Sequence, residues 1–150
     1  FEADEATYDL HIFLRFALER QMIDGSLNVD DVPAAWNAKF EELFGFAPPD
    51  DAHGCLQDIH WSLGGFGYFA TYSLGNFNAA QLFAAAQRSE EVARGVERCN
   101  YGPLLAWMQE HVHAAGAMDL PPELMKKATG RPTEATAYLE HLRTRFLSDA

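Results

Sequence analysis

The fold follows from a long helix predicted over residues 69–87, which read FATYSLGNFNAAQLFAAAQ. One side of this segment is rich in alanine, the residue with the highest helix propensity, and large apolar side chains are available for packing at Leu74, Phe77, Leu82 and Phe83. Further segments on both sides show helical patterns, and the sequence has no convincing strand, internal repeat or low-complexity tract. We therefore predict an all-α fold of about six helices.

The other helices are predicted over residues 3–23, 34–44, 104–114, 122–128 and 133–147. Gly45 and Gly130 end two of them, because glycine readily adopts the left-handed conformation of a helix C-cap. Pro103 suits the first turn of a helix, and Thr133 is a candidate N-cap. Ahead of the long helix, residues 64–67 contain three glycines, which predict a shaped turn that leads into it.

The first predicted helix is apolar on nearly every side. Leu10, Leu14 and Leu18 recur at helical spacing, yet Ile12 and Phe16 place further large apolar groups on other sides. Such a helix is normally buried on most faces, which a small bundle does not provide. The chain also lacks an initiating methionine, so we expect it to be part of a longer protein whose remaining structure covers this helix.

Composition excludes several classes of protein. The chain has 150 residues, which suits one domain over 1–150, and its 48% hydrophobic content excludes disorder. Its net charge of −11 argues against nucleic acids and anionic membranes as partners, since both attract clustered basic residues. No apolar run approaches the roughly 18 residues of a membrane span, and the first residues lack a secretory signal. Cys55 and Cys99 form no metal or redox motif, which favours reduced thiols and a cytoplasmic location.

Most histidines have a structural explanation. His111 and His113 are two positions apart and point about 200° away from each other on a helix, so they cannot share a metal and are predicted to be exposed or capping. His141 is predicted on a solvated, charged face. His11 begins a stripe with Arg15 and Glu19 at four-residue spacing, which is either a buried polar network or an exposed face with one ion pair.

His60 is the strongest candidate for a chemical role. Five side chains with hydrogen-bonding groups flank it in sequence: Gln57, Asp58, Trp61, Tyr68 and Tyr72. An imidazole and a phenol that converge near a glycine-shaped backbone can donate hydrogen bonds to a developing oxyanion. The alternative is a structural cluster that ties a loop to a helix. Because the sequence has no His-Glu-x-x-His, nucleophile elbow or phosphate-binding loop, it has no complete catalytic apparatus of its own.

Two signatures resemble those of a known family. Residues 54–61 read GCLQDIHW and match the Gly-x-x-Gln-Asp-x-His-Trp signature of the carboxypeptidase Taq-type zinc metallocarboxypeptidases. Phe1-Glu2-Ala3-Asp4 resembles the last four positions of a second signature of that family, Ile-Arg-x-x-Ala-Asp. Residues 3–16 and 67–76 also read like the family, so the resemblance extends over essentially the whole chain.

The resemblance implies that the chain is the C-terminal portion of a larger all-helical zinc peptidase. Members of the family release single amino acids from peptide C-termini with broad specificity and are commonly homodimers. Their His-Glu-x-x-His helix and a further glutamate ligand would precede Phe1, so the chain alone is expected to hold no metal and to be inactive as a peptidase. The expected partners are peptide substrates and the upstream catalytic half of the same chain.

The resemblance also implies roles for the residues around the glycine-rich turn. His60 would donate a hydrogen bond to a peptide carbonyl or to the tetrahedral intermediate, and Tyr72 would stabilise the oxyanion, with Tyr68 as the alternative phenol. Three neighbours would hold the loop and orient the imidazole: Gln57, Asp58 and Trp61. The competing interpretation is a non-enzymatic helical interaction module, in which the first helix docks on a partner and the cluster is structural.

Overall fold

The computed structural model describes residues 3–147, in which it has seven α-helices. They are α1 (Tyr8–Asp24), α2 (Val32–Phe44), α3 (Ala70–Ala86), α4 (Glu90–Glu97), α5 (Gly102–His111), α6 (Pro121–Thr129) and α7 (Thr136–Phe146). No strand occurs among the described residues, so the predicted all-α fold is confirmed, with one helix more than predicted. Phe1 and Glu2, which belong to the second signature, lie outside the described residues.

The predicted helix ends are partly confirmed. Gly45 and Gly130 end α2 and α6 in the left-handed conformation, with φ of 79° and 91°. The prediction that the first helix starts at residue 3 is wrong, because the Asp4 carboxylate accepts hydrogen bonds from the backbone N–H and the hydroxyl of Thr7 at 2.8 and 3.0 Å. This local turn competes with the helix, which begins at Tyr8.

Two helices near the C-terminus also differ from prediction. The missed helix, α4, is only 8 residues long and contains Gly95, which weakens its helical pattern. Thr133 does not cap the last helix, which begins at Thr136, because its hydroxyl donates instead to Oδ1 of Asn78 at 2.6 Å.

The chain divides into two compact units, one of residues up to Ser73 and one of residues from Leu74. The single domain proposed over 1–150 therefore stays a prediction. In the first unit, Leu14 and Leu18 of α1 and Trp36 of α2 form the buried core. Burial of three large apolar side chains contributes about 1.5–3 kcal/mol each, and it fixes α1 against α2. Phe13 of α1 is 50% exposed, so part of the apolar surface of α1 is not covered in this chain.

The second unit is held by a buried amide. Nε2 of Gln81 donates to the hydroxyl of Thr129 at 2.8 Å and to the carbonyl oxygens of Arg131 and Pro132 at 3.0 Å. Its Oε1 accepts the N–H of Glu134 at 3.1 Å, so both ends of the amide are satisfied.

None of the described helices is long and apolar enough to cross a membrane. Cys55 and Cys99 are free thiols, and burial raises the pKa of Cys55.

Candidate active site

The glycine-rich stretch forms the turn that the sequence predicts. Gly64 and Gly67 have φ of 76° and 81°, a backbone conformation that side chains with a Cβ rarely adopt. The N–H of Gly65 donates to the carbonyl oxygen of His60 at 2.7 Å, and a Cβ at Gly65 would lie 3.1 Å from that oxygen. The turn therefore brings the start of α3 back toward His60.

His60 and Tyr72 meet across this turn. Nε2 of His60 lies 3.2 Å from the Tyr72 hydroxyl oxygen, with the two rings nearly perpendicular. The ring of Tyr68 stacks on His60 with centroids 6.0 Å apart, but Tyr68 is half exposed and no hydrogen bond joins it to the imidazole among the contacts described. Of the two phenols that the sequence left open, Tyr72 is the one that lies within hydrogen-bonding distance of His60.

Asp58 fixes the backbone on which His60 sits. Its carboxylate is buried, with 1% of the side chain exposed. Oδ1 accepts the backbone N–H groups of His60 and Trp61 at 2.9 and 3.1 Å, and Oδ2 accepts Nε of Arg15 at 3.2 Å. A buried carboxylate with three donors is well satisfied, so it holds its position and that of His60.

Arg15 is itself held rigidly. Its guanidinium lies 4.7 Å from the ring centroid of Trp36 and 5.9 Å from that of Phe69, and Nη1 donates to the carbonyl oxygen of His11 at 2.9 Å. Burial lowers the pKa of Arg15, and the nearby Asp58 carboxylate opposes that shift. An arginine remains protonated at all physiological pH values, so the site contains a fixed positive charge.

Glu19 holds the other side of the turn. Its carboxylate is buried, and it accepts the indole N–H of Trp61 at 3.0 Å and the backbone N–H of Gly67 at 2.7 Å. Of the stripe His11, Arg15 and Glu19, the last two therefore make polar bonds in the interior, whereas the His11 ring packs on aromatic rings of α2. Arg15 pairs with Asp58, and Glu19 supports the turn.

Tyr72 is suited to remain a donor. Burial raises the pKa of its phenol, and the neighbouring phenols of Tyr68 and Tyr8 add to the shift. An acid whose pKa is raised keeps its proton to higher pH, so the Tyr72 hydroxyl stays protonated throughout the neutral range.

A cavity of about 650 Å³ opens beside the pair. Arg15, His60 and Tyr72 contribute to its polar lining, and the rings of Phe40 and Phe44 to its apolar lining. This volume lies in the range of small-molecule sites, and an apolar cavity with a few convergent polar groups is typical of them.

The remaining predicted residues have other positions. Gln57 lines the cavity and donates from Nε2 to the Ala52 carbonyl, a hydrogen bond that supports the loop. Nδ1 of His111 lies 3.0 Å from the carbonyl oxygen of Trp107, and the two rings stack. His113 and His141 are exposed, as predicted. Among residues 3–147, no group of three His, Cys, Asp or Glu side chains lies close enough together to hold a metal ion.

Sequence reasoning missed two partnerships in the site. Arg15 and Asp58 are 43 positions apart, and Glu19 and Trp61 are 42 apart. The available signal was the four-residue spacing of Arg15 and Glu19, which places both on one side of α1, beside the apolar residues Leu14 and Leu18 that form the core.

Comparison with known proteins gives consistent matches. The family model described as carboxypeptidase Taq (M32) metallopeptidase matches residues 1–146. Thermostable carboxypeptidase 1 of Pyrococcus furiosus is 37% identical over 147 residues, which are 97% of this chain and 30% of that protein. Thermostable carboxypeptidase 1 of Thermus thermophilus is 39% identical over 150 residues, 97% of this chain and 29% of that protein.

Solved structures of carboxypeptidases also match this chain. Metallocarboxypeptidase 1 of Trypanosoma cruzi has a TM-score of 0.92 at 39% identity, covering 97% of this chain and 30% of its own. The M32 carboxypeptidase from Deinococcus radiodurans has a TM-score of 0.91 at 40% identity, covering 96% of this chain and 29% of its own. The chain thus spans about 30% of the length of the relatives that it matches. These matches confirm the resemblance carried by residues 54–61, and the chain belongs to the carboxypeptidase Taq (M32) metallopeptidase family.

Proposed function

We propose that this chain is the C-terminal portion of a zinc-dependent metallocarboxypeptidase that releases C-terminal amino acids from peptides with broad specificity. The observation that carries the proposal is the His60–Tyr72 pair, 3.2 Å apart and facing a cavity of about 650 Å³. Family membership supports a metal-dependent hydrolase, and the relatives are named as carboxypeptidases.

Zinc chemistry is assigned to the part of the enzyme outside this chain. The described residues do not fit a zinc site, because none of them forms a group of three metal-ligating side chains. Alone, the chain is proposed to be inactive as a peptidase and to bind no stoichiometric zinc.

The chain's own residues form the wall that faces the substrate. Tyr72 donates a hydrogen bond to the oxygen that becomes negatively charged when the peptide carbonyl is attacked. His60 donates a hydrogen bond to the peptide carbonyl or to the tetrahedral intermediate. The ring of Tyr68 stacks on one face of the His60 imidazole. Asp58 and Trp61 hold the loop that carries His60, through the backbone bonds to Asp58 and the indole bond to Glu19.

The arrangement of the whole enzyme is also a proposal. An upstream catalytic half of the same protein covers the apolar surface of α1, where Phe13 and Ile23 are 50% and 70% exposed. The enzyme is proposed to be a cytoplasmic homodimer that acts on peptide substrates.

The experiment compares variants of the longer protein that carries this chain. We expect His60→Ala and Tyr72→Phe to lower kcat for release of the C-terminal residue by about 10²–10³-fold, as removal of one oxyanion donor does elsewhere. Bound zinc, measured by elemental analysis after dialysis, stays at the wild-type ratio. Loss of zinc in either variant would make these residues ligands or supports of the metal, and an unchanged kcat would remove them from the reaction.

A further inference from the structure

Three phenylalanine rings pack together at the cavity. Phe40 and Phe44 are four positions apart on α2, so both project from one side of that helix, and their ring centroids lie 4.3 Å apart. Gly45 then turns the chain with its φ of 79°, and the ring centroid of Phe46 lies 5.4 Å from that of Phe40. All three rings line the cavity, and we call them the aromatic wall.

The aromatic wall leaves apolar surface open to the cavity. Phe40 and Phe44 are half-buried, and Phe46 is 60% exposed. An apolar contact across a glycine cap is common in helices, and it explains why Phe46 touches Phe40. It does not explain why three aromatic rings face an open cavity. Exposed apolar surface of this kind in a cavity indicates a binding site for an apolar group.

The histidine beside the aromatic wall carries no charge at neutral pH. The ring centroid of His11 lies 4.5 Å from that of Phe44 and 5.9 Å from that of Phe40. Burial lowers the pKa of His11, and the positive charge of Arg15 lowers it further, against the opposing effect of Asp4. The imidazole is therefore neutral near pH 7, so this part of the cavity suits an apolar group better than an ion.

The cavity combines the two kinds of surface that a peptide residue requires. The backbone of such a residue is polar, which suits the His60–Tyr72 pair, and its side chain can be apolar, which suits the aromatic wall. We propose that the aromatic wall binds an aromatic or large aliphatic side chain of a substrate residue that flanks the cleaved bond. The proposal rests on the proposed function and narrows its broad specificity to a preference for apolar side chains at that position.

A segment of the longer protein is the other candidate to cover the aromatic wall. The wall and the His60–Tyr72 pair line one cavity of about 650 Å³. A segment that filled this cavity would also take the space in front of the pair and would exclude the substrate from it. Substrate binding uses both surfaces at once, so it agrees better with the proposed function.

The test compares kcat/KM of the longer enzyme for three N-blocked tripeptides, Ala-Ala-Phe, Ala-Phe-Ala and Ala-Ala-Ala. The first two place phenylalanine on either side of the cleaved bond. We expect the wild type to prefer one of them to Ala-Ala-Ala. Phe44→Ala and Phe46→Ala should each lower that preference, the ratio of the two kcat/KM values, by about tenfold, because part of the apolar contact with the substrate side chain is lost.

Phe83→Ala is the matched control. Phe83 is 39% exposed on α3 and is not among the residues that line the cavity, so we expect the wild-type ratio in this variant. Phe44→Ala removes a half-buried ring, and if that variant does not fold, Phe46→Ala decides the matter. Because Phe46 is 60% exposed, its truncation leaves the core of the first unit intact.

The outcomes separate this inference from the proposed function. If the wild-type enzyme releases no C-terminal residue from any of the three peptides, the proposed function fails and this inference fails with it. The inference alone is overturned if the wild type releases residues but prefers neither phenylalanine peptide. It is also overturned if the preference in Phe46→Ala equals that of the wild type, or falls to the same extent in Phe83→Ala.

Discussion

Glu19 places a carboxylate in the interior of the first unit, where it serves two donors from different parts of the glycine-rich turn, Trp61 and Gly67. A glutamine at this position has one acceptor oxygen for two N–H groups, so one buried donor is left facing an NH₂ group. We expect Glu19→Gln to lower the free energy of unfolding of the chain by about 1–3 kcal/mol in urea titrations.

The matched control for Glu19 is Glu42, which pairs with Lys39 at 2.9 Å on the surface of α2. Surface ion pairs contribute about 0.2–1 kcal/mol, so Glu42→Gln should be nearly neutral. Equal effects of the two substitutions on unfolding would show that the buried carboxylate does not hold the turn.

At the same scale, residues close in sequence could be predicted and long-range partners could not. His60 and Asp58 were identified because they stand in the short signature of residues 54–61. Tyr72 was identified because it lies on the helix that follows the glycine-rich residues 64–67. Arg15 and Glu19 are more than 40 positions from their partners. Spacing along the sequence does not show which of such distant residues come into contact. The choice between Tyr68 and Tyr72 also depended on ring positions, which four-residue spacing leaves open.

Among the helices, α4 depends on a glycine for its packing, and α3 contains one that does not. A Cβ at Gly95 of α4 would lie 2.7 Å from the backbone oxygen of Asn100 and 3.3 Å from Cγ of Pro103, whereas a Cβ at Gly75 of α3 meets nothing within 4 Å. We expect Gly95→Ala to destabilise the chain by about 1–3 kcal/mol, because the backbone must move.

Gly75→Ala is the matched control for that substitution. It adds the same methyl group to a helix without a clash, and alanine is favoured there by about 0.5–1 kcal/mol, so we expect it to raise the melting temperature. If Gly95→Ala also raised the melting temperature, the close approach at α4 would not limit stability.

Helix ends marked by a glycine cap were predicted correctly. Helix starts that depend on a side-chain hydrogen bond were not. The ends of α2 and α6 were predicted from Gly45 and Gly130, because glycine readily adopts the left-handed conformation of a helix C-cap. The start of α1 depended on how Asp4 bonds to Thr7, and the start of α7 on the bond from Thr133 to Asn78. Periodicity does not register such bonds, and it gave no sign of an 8-residue helix that contains Gly95.

For the molecule as a whole, family membership was predictable from eight residues, 54–61, because that signature combines unusual residue types at fixed positions. The division into two compact units could not be predicted from the sequence, because it depends on contacts over the whole chain. The chain spans about 30% of the length of the relatives that it matches.

The most direct test of the account compares Tyr72→Phe with Tyr68→Phe in the longer enzyme, by measuring kcat for release of a C-terminal residue. The two variants lose the same hydroxyl group from neighbouring phenols, but only Tyr72 lies within hydrogen-bonding distance of His60. We predict that Tyr72→Phe lowers kcat by about 10²–10³-fold and that Tyr68→Phe stays within about 10-fold of the wild type. A larger loss in Tyr68→Phe, or equal activity in both, would contradict the account.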